Sequence, residues 1–67
     1  MSARTEVFVG LMCYGFTDRE IGAMYHLSHR TVKNCIDHAR ILTGSRTRPM
    51  LAKWYVLNVE LPLRRVA

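Results

Sequence analysis

Arg30, Lys33, Asn34 and Asp37 stand at i, i+3, i+4 and i+7. On a helix that spacing sets four polar side chains along one stripe. Their chemistry suits the edges of base pairs. Arg or Lys donates to guanine O6 and N7, Asn pairs bidentately with adenine, and an acid accepts from cytosine N4. Asp37 equally suits an i, i+4 pair with Lys33 that orients the amine. Any amphipathic helix carries a polar stripe, so the stripe alone also fits a solvated face.

A second cluster is His26, His29, Cys35 and His38. Cys35 and His38, at i, i+3, have a spacing that metal ligands or a nucleophile–base pair can use. His26 and His29 flank a turn, however, and no pair of CxxC motifs is present. Nothing in the sequence supplies an oxyanion hole. The expectation is a non-enzyme with no metal and no cofactor. His29 is better suited to a phosphate near a helix N-terminus. Arg46 and Arg48 suit either the DNA backbone or solvent, and Arg64 and Arg65 are weaker candidates of the same kind.

These residues need helices to hold them. Ser2 can cap a first helix to about Tyr14, with Val7 or Phe8, Leu11 and Met12 inward; Gly15 ends it. Thr17-Asp18-Arg19-Glu20 is a capping box. It opens a short helix from about Asp18 to Tyr25, with Ile21, Met24 and Tyr25 on its buried face. Gly22 or Ala23 lets another helix approach. His26 and Leu27 form a turn, and Ser28 caps a third helix, about 29–42, that buries Val32, Ile36 and Ala39. Gly44 ends it. Thr47 caps a fourth, with Pro49 in a first turn where a missing N–H costs nothing. It runs to about Val59, because Pro62 opposes extension. The pair 18–25 and 29–42 has the proportions of a helix-turn-helix.

The bulk numbers agree with one small domain. The chain has 67 residues, 49% hydrophobic, with a net charge of +5. The charge is uneven. Residues 1–27 set Arg4 and Arg19 against Glu6, Asp18 and Glu20, while 28–67 hold eight Lys/Arg against Asp37 and Glu60. A basic C-terminal part suits a polyanion. No run of about 18 apolar residues exists to cross a membrane. The N-terminus lacks the pattern of a signal peptide, which predicts a cytoplasmic protein. Cys13 and Cys35 read as reduced thiols in an apolar pattern.

Gly15-Phe16-Thr17-Asp18-Arg19-Glu20-Ile21-Gly22, followed by Leu27-Ser28-His29-Arg30-Thr31-Val32-Lys33-Asn34, resembles the LuxR-type helix-turn-helix domain. The likeness runs ungapped from Gly15 to Lys33. It reaches back to Met1–Arg4 and forward to Gly44 and Arg48, covering about residues 1–58. It implies an all-α, four-helix domain over residues 1–60 with a flexible tail at 61–67. The domain would stand alone, with no receiver or ligand-binding domain. The resemblance further implies a bacterial or phage transcriptional regulator whose third helix enters the major groove of double-stranded DNA. By position, Lys33, Asn34 and Asp37 match positions that touch bases, and Thr31, Lys33 and the cap near Ser28 match positions near phosphates; the polar stripe adds Arg30 to the bases, and His29, Arg46 and Arg48 join Ser28 and Thr31 as backbone candidates by their own chemistry. Some residues depart from the pattern. Thr5 replaces a Glu, weakening the first capping box. Cys35 stands where His is common. Ala39 and Thr43 are small, so Ile41 or Leu42 is expected to repack the end of the third helix. Asp37 is acidic where a neutral or basic residue is usual.

The fourth helix has more apolar surface than one stripe. Met50, Trp54, Leu57 and Leu61 form one line, and Leu51, Tyr55, Val56 and Val59 cover much of the rest. A second stripe implies a second surface to cover. The expectation is a homodimer through Leu51, Tyr55, Val56 and Val59, with recognition helices about 34 Å apart. Wrapping the core around Trp54 is the alternative. A different function uses the same helix: an interaction protein that forms a heterodimer with another LuxR-type regulator, or binds transcription machinery, and inhibits it.

Overall fold

The computed structural model describes residues 1–66; Ala67 and the side chains of Arg65 and Val66 lie outside the described residues. Every regular element among them is helical. The helices are α1 (Ala3–Cys13), α2 (Asp18–Tyr25), α3 (His29–Thr43) and α4 (Arg48–Tyr55). A π-helical turn, Val56–Glu60, continues α4 into α5 (Leu61–Val66). Among the described residues no helix is long and apolar enough to cross a membrane.

Hydroxyls start all four main helices. Ser2 Oγ accepts from Thr5 N at 3.1 Å, Ser28 Oγ from Thr31 N at 3.2 Å, and Thr47 Oγ1 from Met50 N at 3.3 Å. At α2 the box closes from both sides: Glu20 N donates to Thr17 Oγ1 at 3.2 Å, and Thr17 N to Glu20 Oε1 at 2.9 Å. Each cap is worth about 0.5–2 kcal/mol, because it satisfies an N–H that the helix leaves open. Thr5, the departure expected to weaken the first capping box, is buried and accepts the Ser2 hydroxyl at 2.9 Å. Gly44 closes α3 at φ 71°, the left-handed conformation that glycine adopts without strain.

Phe8 and Val9 of α1, Ile21 of α2, Val32, Ile36 and Ala39 of α3, and Leu51 of α4 are fully buried together. The Phe8 ring meets Tyr25 edge-on at 5.2 Å. Several expectations change here. Val9 is core while Val7 is exposed. Met24 is largely exposed, and Tyr25 keeps only its ring edge against Phe8. Trp54 packs on the margin of the core rather than at its centre. Ile41 and Leu42 do not repack the end of α3; Ile41 is 75% exposed. That end is closed by small polar groups instead. Thr43 Oγ1 donates to Ala39 O at 2.9 Å and lies 2.8 Å from the buried Ser45 hydroxyl.

Helical structure also outruns its expected stop at Val59. A mid-helix proline removes one N–H and presses its ring on the carbonyl four residues earlier. The π turn directly precedes Pro62, with Leu61 N bonded to Val56 O. Its wider winding is one of the known ways to relieve such crowding. Residues 61–66, expected as loose tail, are therefore helical.

Candidate nucleic-acid interface

The turn between α2 and α3 fixes where α3 points. His26 takes a left-handed conformation at φ 57°, and Leu27 N donates to Gly22 O at 2.8 Å. Gly22 lies against that turn: a Cβ there would sit 2.5 Å from Leu27 O. The three residues 26–28 thus make a tight corner. α3 then packs its Val32–Ile36–Ala39 side on α1, α2 and α4.

The opposite side of α3 is open. Arg30, Lys33 and Asn34 are exposed, as are His29 and His38. Among the described residues no carboxylate pairs with Arg30 or Lys33. The first turn of α3 carries no acid, whereas that of α2 carries Asp18 and Glu20. Basic side chains at the positive end of a helix dipole are locally unfavourable and leave that end ready for an anion. Ser28 and Thr31 sit at this end, their hydroxyls 3.0 Å apart. Arg46 is exposed in the turn after α3.

Two of the assigned residues have other commitments. Arg48 donates from Nη1 and Nη2 to Asp18 Oδ1 and Oδ2, both at 2.8 Å, a two-pronged bridge between the starts of α2 and α4. The bond to Asp18 raises the guanidinium pKa above its ordinary value, outweighing the opposing effect of burial. Two of the five Arg48 N–H donors are thus committed to Asp18 rather than to a DNA backbone. Asp37 does not pair with Lys33. Its Oδ1 accepts from Arg40 Nη2 at 3.2 Å and Nε at 3.4 Å. Arg40 went unassigned in the sequence, although an acid and a base at i, i+3 were there to be read.

The fourth-helix assignment also changes. Leu51 is fully buried in the core of its own chain and offers nothing to a partner. Tyr55 is half-buried against α1, where a Cβ on Gly10 would meet its hydroxyl at 2.7 Å. Val56 and Val59 are half-buried. The exposed line is the other one: Met50, Leu57 and Leu61.

Cys35 is half-buried, with Arg4 Nη2 3.9 Å from its Sγ, while His38 is exposed. Cys13 is a second free thiol, its pKa raised by burial and by the nearby Glu60. Among the described residues no three His, Cys, Asp or Glu side chains gather for a metal. Two open clefts, of about 250 and 320 Å³, lie away from α3. They are lined by Met12, Cys13, Arg48, Pro49 and Ala52, and by Glu6, Asn58, Val59, Pro62 and Leu63. Comparison with known proteins found no matching family model, no similar curated protein and no similar solved structure.

Proposed function

We propose that this chain is a LuxR-type helix-turn-helix domain that binds double-stranded DNA in a sequence-specific way and regulates transcription. One observation carries the proposal. The N-terminal half of α3 holds Arg30, Lys33 and Asn34 exposed and, among the described residues, without an acidic partner, on a helix whose other face is locked in the core. A recognition helix enters the major groove with that half and meets base edges with such side chains. Ser28, His29, Thr31 and Arg46 surround it and supply backbone contacts.

A second copy of the chain joins through Met50, Leu57 and Leu61, setting two α3 helices on half-sites one DNA turn apart. Pairing with a different LuxR-type regulator would use the same exposed line, and it predicts a monomer in purified solution. The test of the DNA reading is binding to duplex DNA as a function of salt. Affinity falls steeply with salt, and Lys33→Ala weakens binding. Binding that ignores salt and survives Lys33→Ala overturns the proposal.

A further inference from the structure

We propose that Asp37 reads no base, and that Asp37 and Arg40 form a relay that holds Arg46 toward a DNA phosphate. The inference rests on the DNA-binding reading above. Arg40 spans two elements. Its Nε and Nη2 face Asp37 on α3, while its Nη1 donates to the Arg46 carbonyl at 2.7 Å. Asp37 thus aims Arg40, and Arg40 pins the backbone of Arg46, whose own side chain is exposed. The residues just before are fixed by other means: Ser45 N donates to Arg40 O at 2.8 Å, and its hydroxyl lies against Thr43. Of the described contacts, only the Arg40 guanidinium bonds the chain at Arg46.

Position and charge point the same way. Asp37 lies past the midpoint of the 15-residue α3. Base contacts concentrate in the N-terminal half of a recognition helix. A bare carboxylate on that face would repel phosphates. Paired with Arg40, it adds no net charge, and the surface around it keeps the positive charge of Arg30, Lys33 and Arg46. An acid that looks wrong for a DNA-facing helix thereby becomes part of its frame.

The experiment first selects a preferred duplex for the wild-type chain from a random pool. Salt-dependent affinity for that duplex is then measured for Asp37→Ala, Asp37→Asn, Arg40→Ala, Arg40→Lys and Arg46→Ala. Removing one phosphate contact makes the slope of log affinity on log salt shallower by about 0.9 per protomer. The relay predicts that change for Arg46→Ala and most of it for Asp37→Ala and Arg40→Ala, with affinity down about fivefold at moderate salt. Arg40→Lys behaves like Arg40→Ala, because one ammonium cannot serve both partners as the fork does. Combining Arg40→Ala with Arg46→Ala adds little further loss. A merely weakened fold lowers the active fraction and leaves the slope alone. Asp37→Asn keeps the preferred sequence. If it instead switches one position from cytosine to adenine, Asp37 reads a base and the relay is wrong. An unchanged slope in both Asp37→Ala and Arg40→Ala also overturns it. A wild-type chain that selects no sequence and shows no salt dependence refutes the DNA reading itself, and the relay with it.

Discussion

Gly22→Ala and Gly10→Ala are the same substitution in two helices, and the structure predicts different outcomes. At Gly22 the added methyl lies 2.5 Å from Leu27 O and 3.4 Å from both His29 N and the Ser28 carbonyl carbon. All three neighbours are backbone atoms of the corner that sets α3, so none can swing aside. Forcing a methyl into a filled space costs about 1–3 kcal/mol. The alanine returns about 0.5–1 kcal/mol of helix propensity. A 2.5 Å approach to fixed backbone takes the upper part of that cost, about 2–3 kcal/mol, so the net loss is about 1–2.5 kcal/mol, a fall in Tm of about 5–20 °C for a domain of this size. At Gly10 the methyl meets the Tyr55 hydroxyl at 2.7 Å and Cζ at 3.1 Å. That is the free end of a ring, which can tilt by a few tenths of an ångström. Propensity then offsets the crowding, and Tm stays within about 3 °C of wild type. Circular dichroism melts of the two variants check both values. A Gly22→Ala chain that melts at or above wild type would refute the reasoning, as would a Gly10→Ala chain that falls as far as Gly22→Ala.

Three further outcomes follow from the packing. Leu51→Ala costs about 2–4 kcal/mol by urea unfolding, since the residue is fully buried, whereas Leu57→Asp changes stability by about 0.5 kcal/mol or less and abolishes the proposed dimer in sedimentation; a dimer that survives Leu57→Asp contradicts the proposed exposed-line interface. A double-mutant cycle on Asp18→Asn and Arg48→Met gives a coupling of about 1 kcal/mol, small because Arg48 is about a third exposed, and Arg48→Met leaves the salt slope of DNA binding intact; a shallower slope would restore Arg48 as a backbone contact. Burial raises the Cys13 thiol and the Tyr55 phenol above their ordinary values, with neighbouring carboxylates adding to both. Groups raised on folding add stability that is whole below the unfolded pKa, about 8.5 for a thiol, and is lost as pH rises through the folded value; the urea midpoint is therefore lower at pH 10 than at pH 7, and Cys13→Ala flattens part of that fall.

The helix starts were legible because local chemistry sets them. Ser2, Thr17, Ser28 and Thr47 each cap from one residue before a helix, and a hydroxyl needs no distant partner to do so. The face of α3 was legible for a similar reason: its apolar residues keep strict spacing between charged ones. α1 gave no such contrast. Val7, Phe8, Val9, Leu11 and Met12 are apolar nearly all the way round, so periodicity had no basis for choosing Val9 over Val7. α4 failed likewise. Two apolar lines competed, and the one the core takes is the one that sets Leu51 in the core and Tyr55 beside Gly10 of α1.

The exposed polar face of the candidate site was legible as a set of residue types, and less so in its pairings. Arg48 and Asp18 are 30 positions apart, and only the fold brings them together. Asp37 had two basic neighbours within a turn, Lys33 and Arg40. The structure pairs it with Arg40, whose guanidinium also reaches the Arg46 carbonyl. The π turn ahead of Pro62 had no signal beyond the proline itself, which by its usual effect argued for a stop.

The central claim is that the exposed N-terminal half of α3 reads DNA sequence. Selection of duplexes from a random pool, run side by side for the wild-type chain and for Lys33→Ala, tests it most directly. The expected result is that the wild type enriches a site with two half-sites about one helical turn apart, and that Lys33→Ala loses the preference at one position in each half-site. A wild-type chain that enriches nothing, or a Lys33→Ala chain that enriches the same site to the same degree, would contradict it.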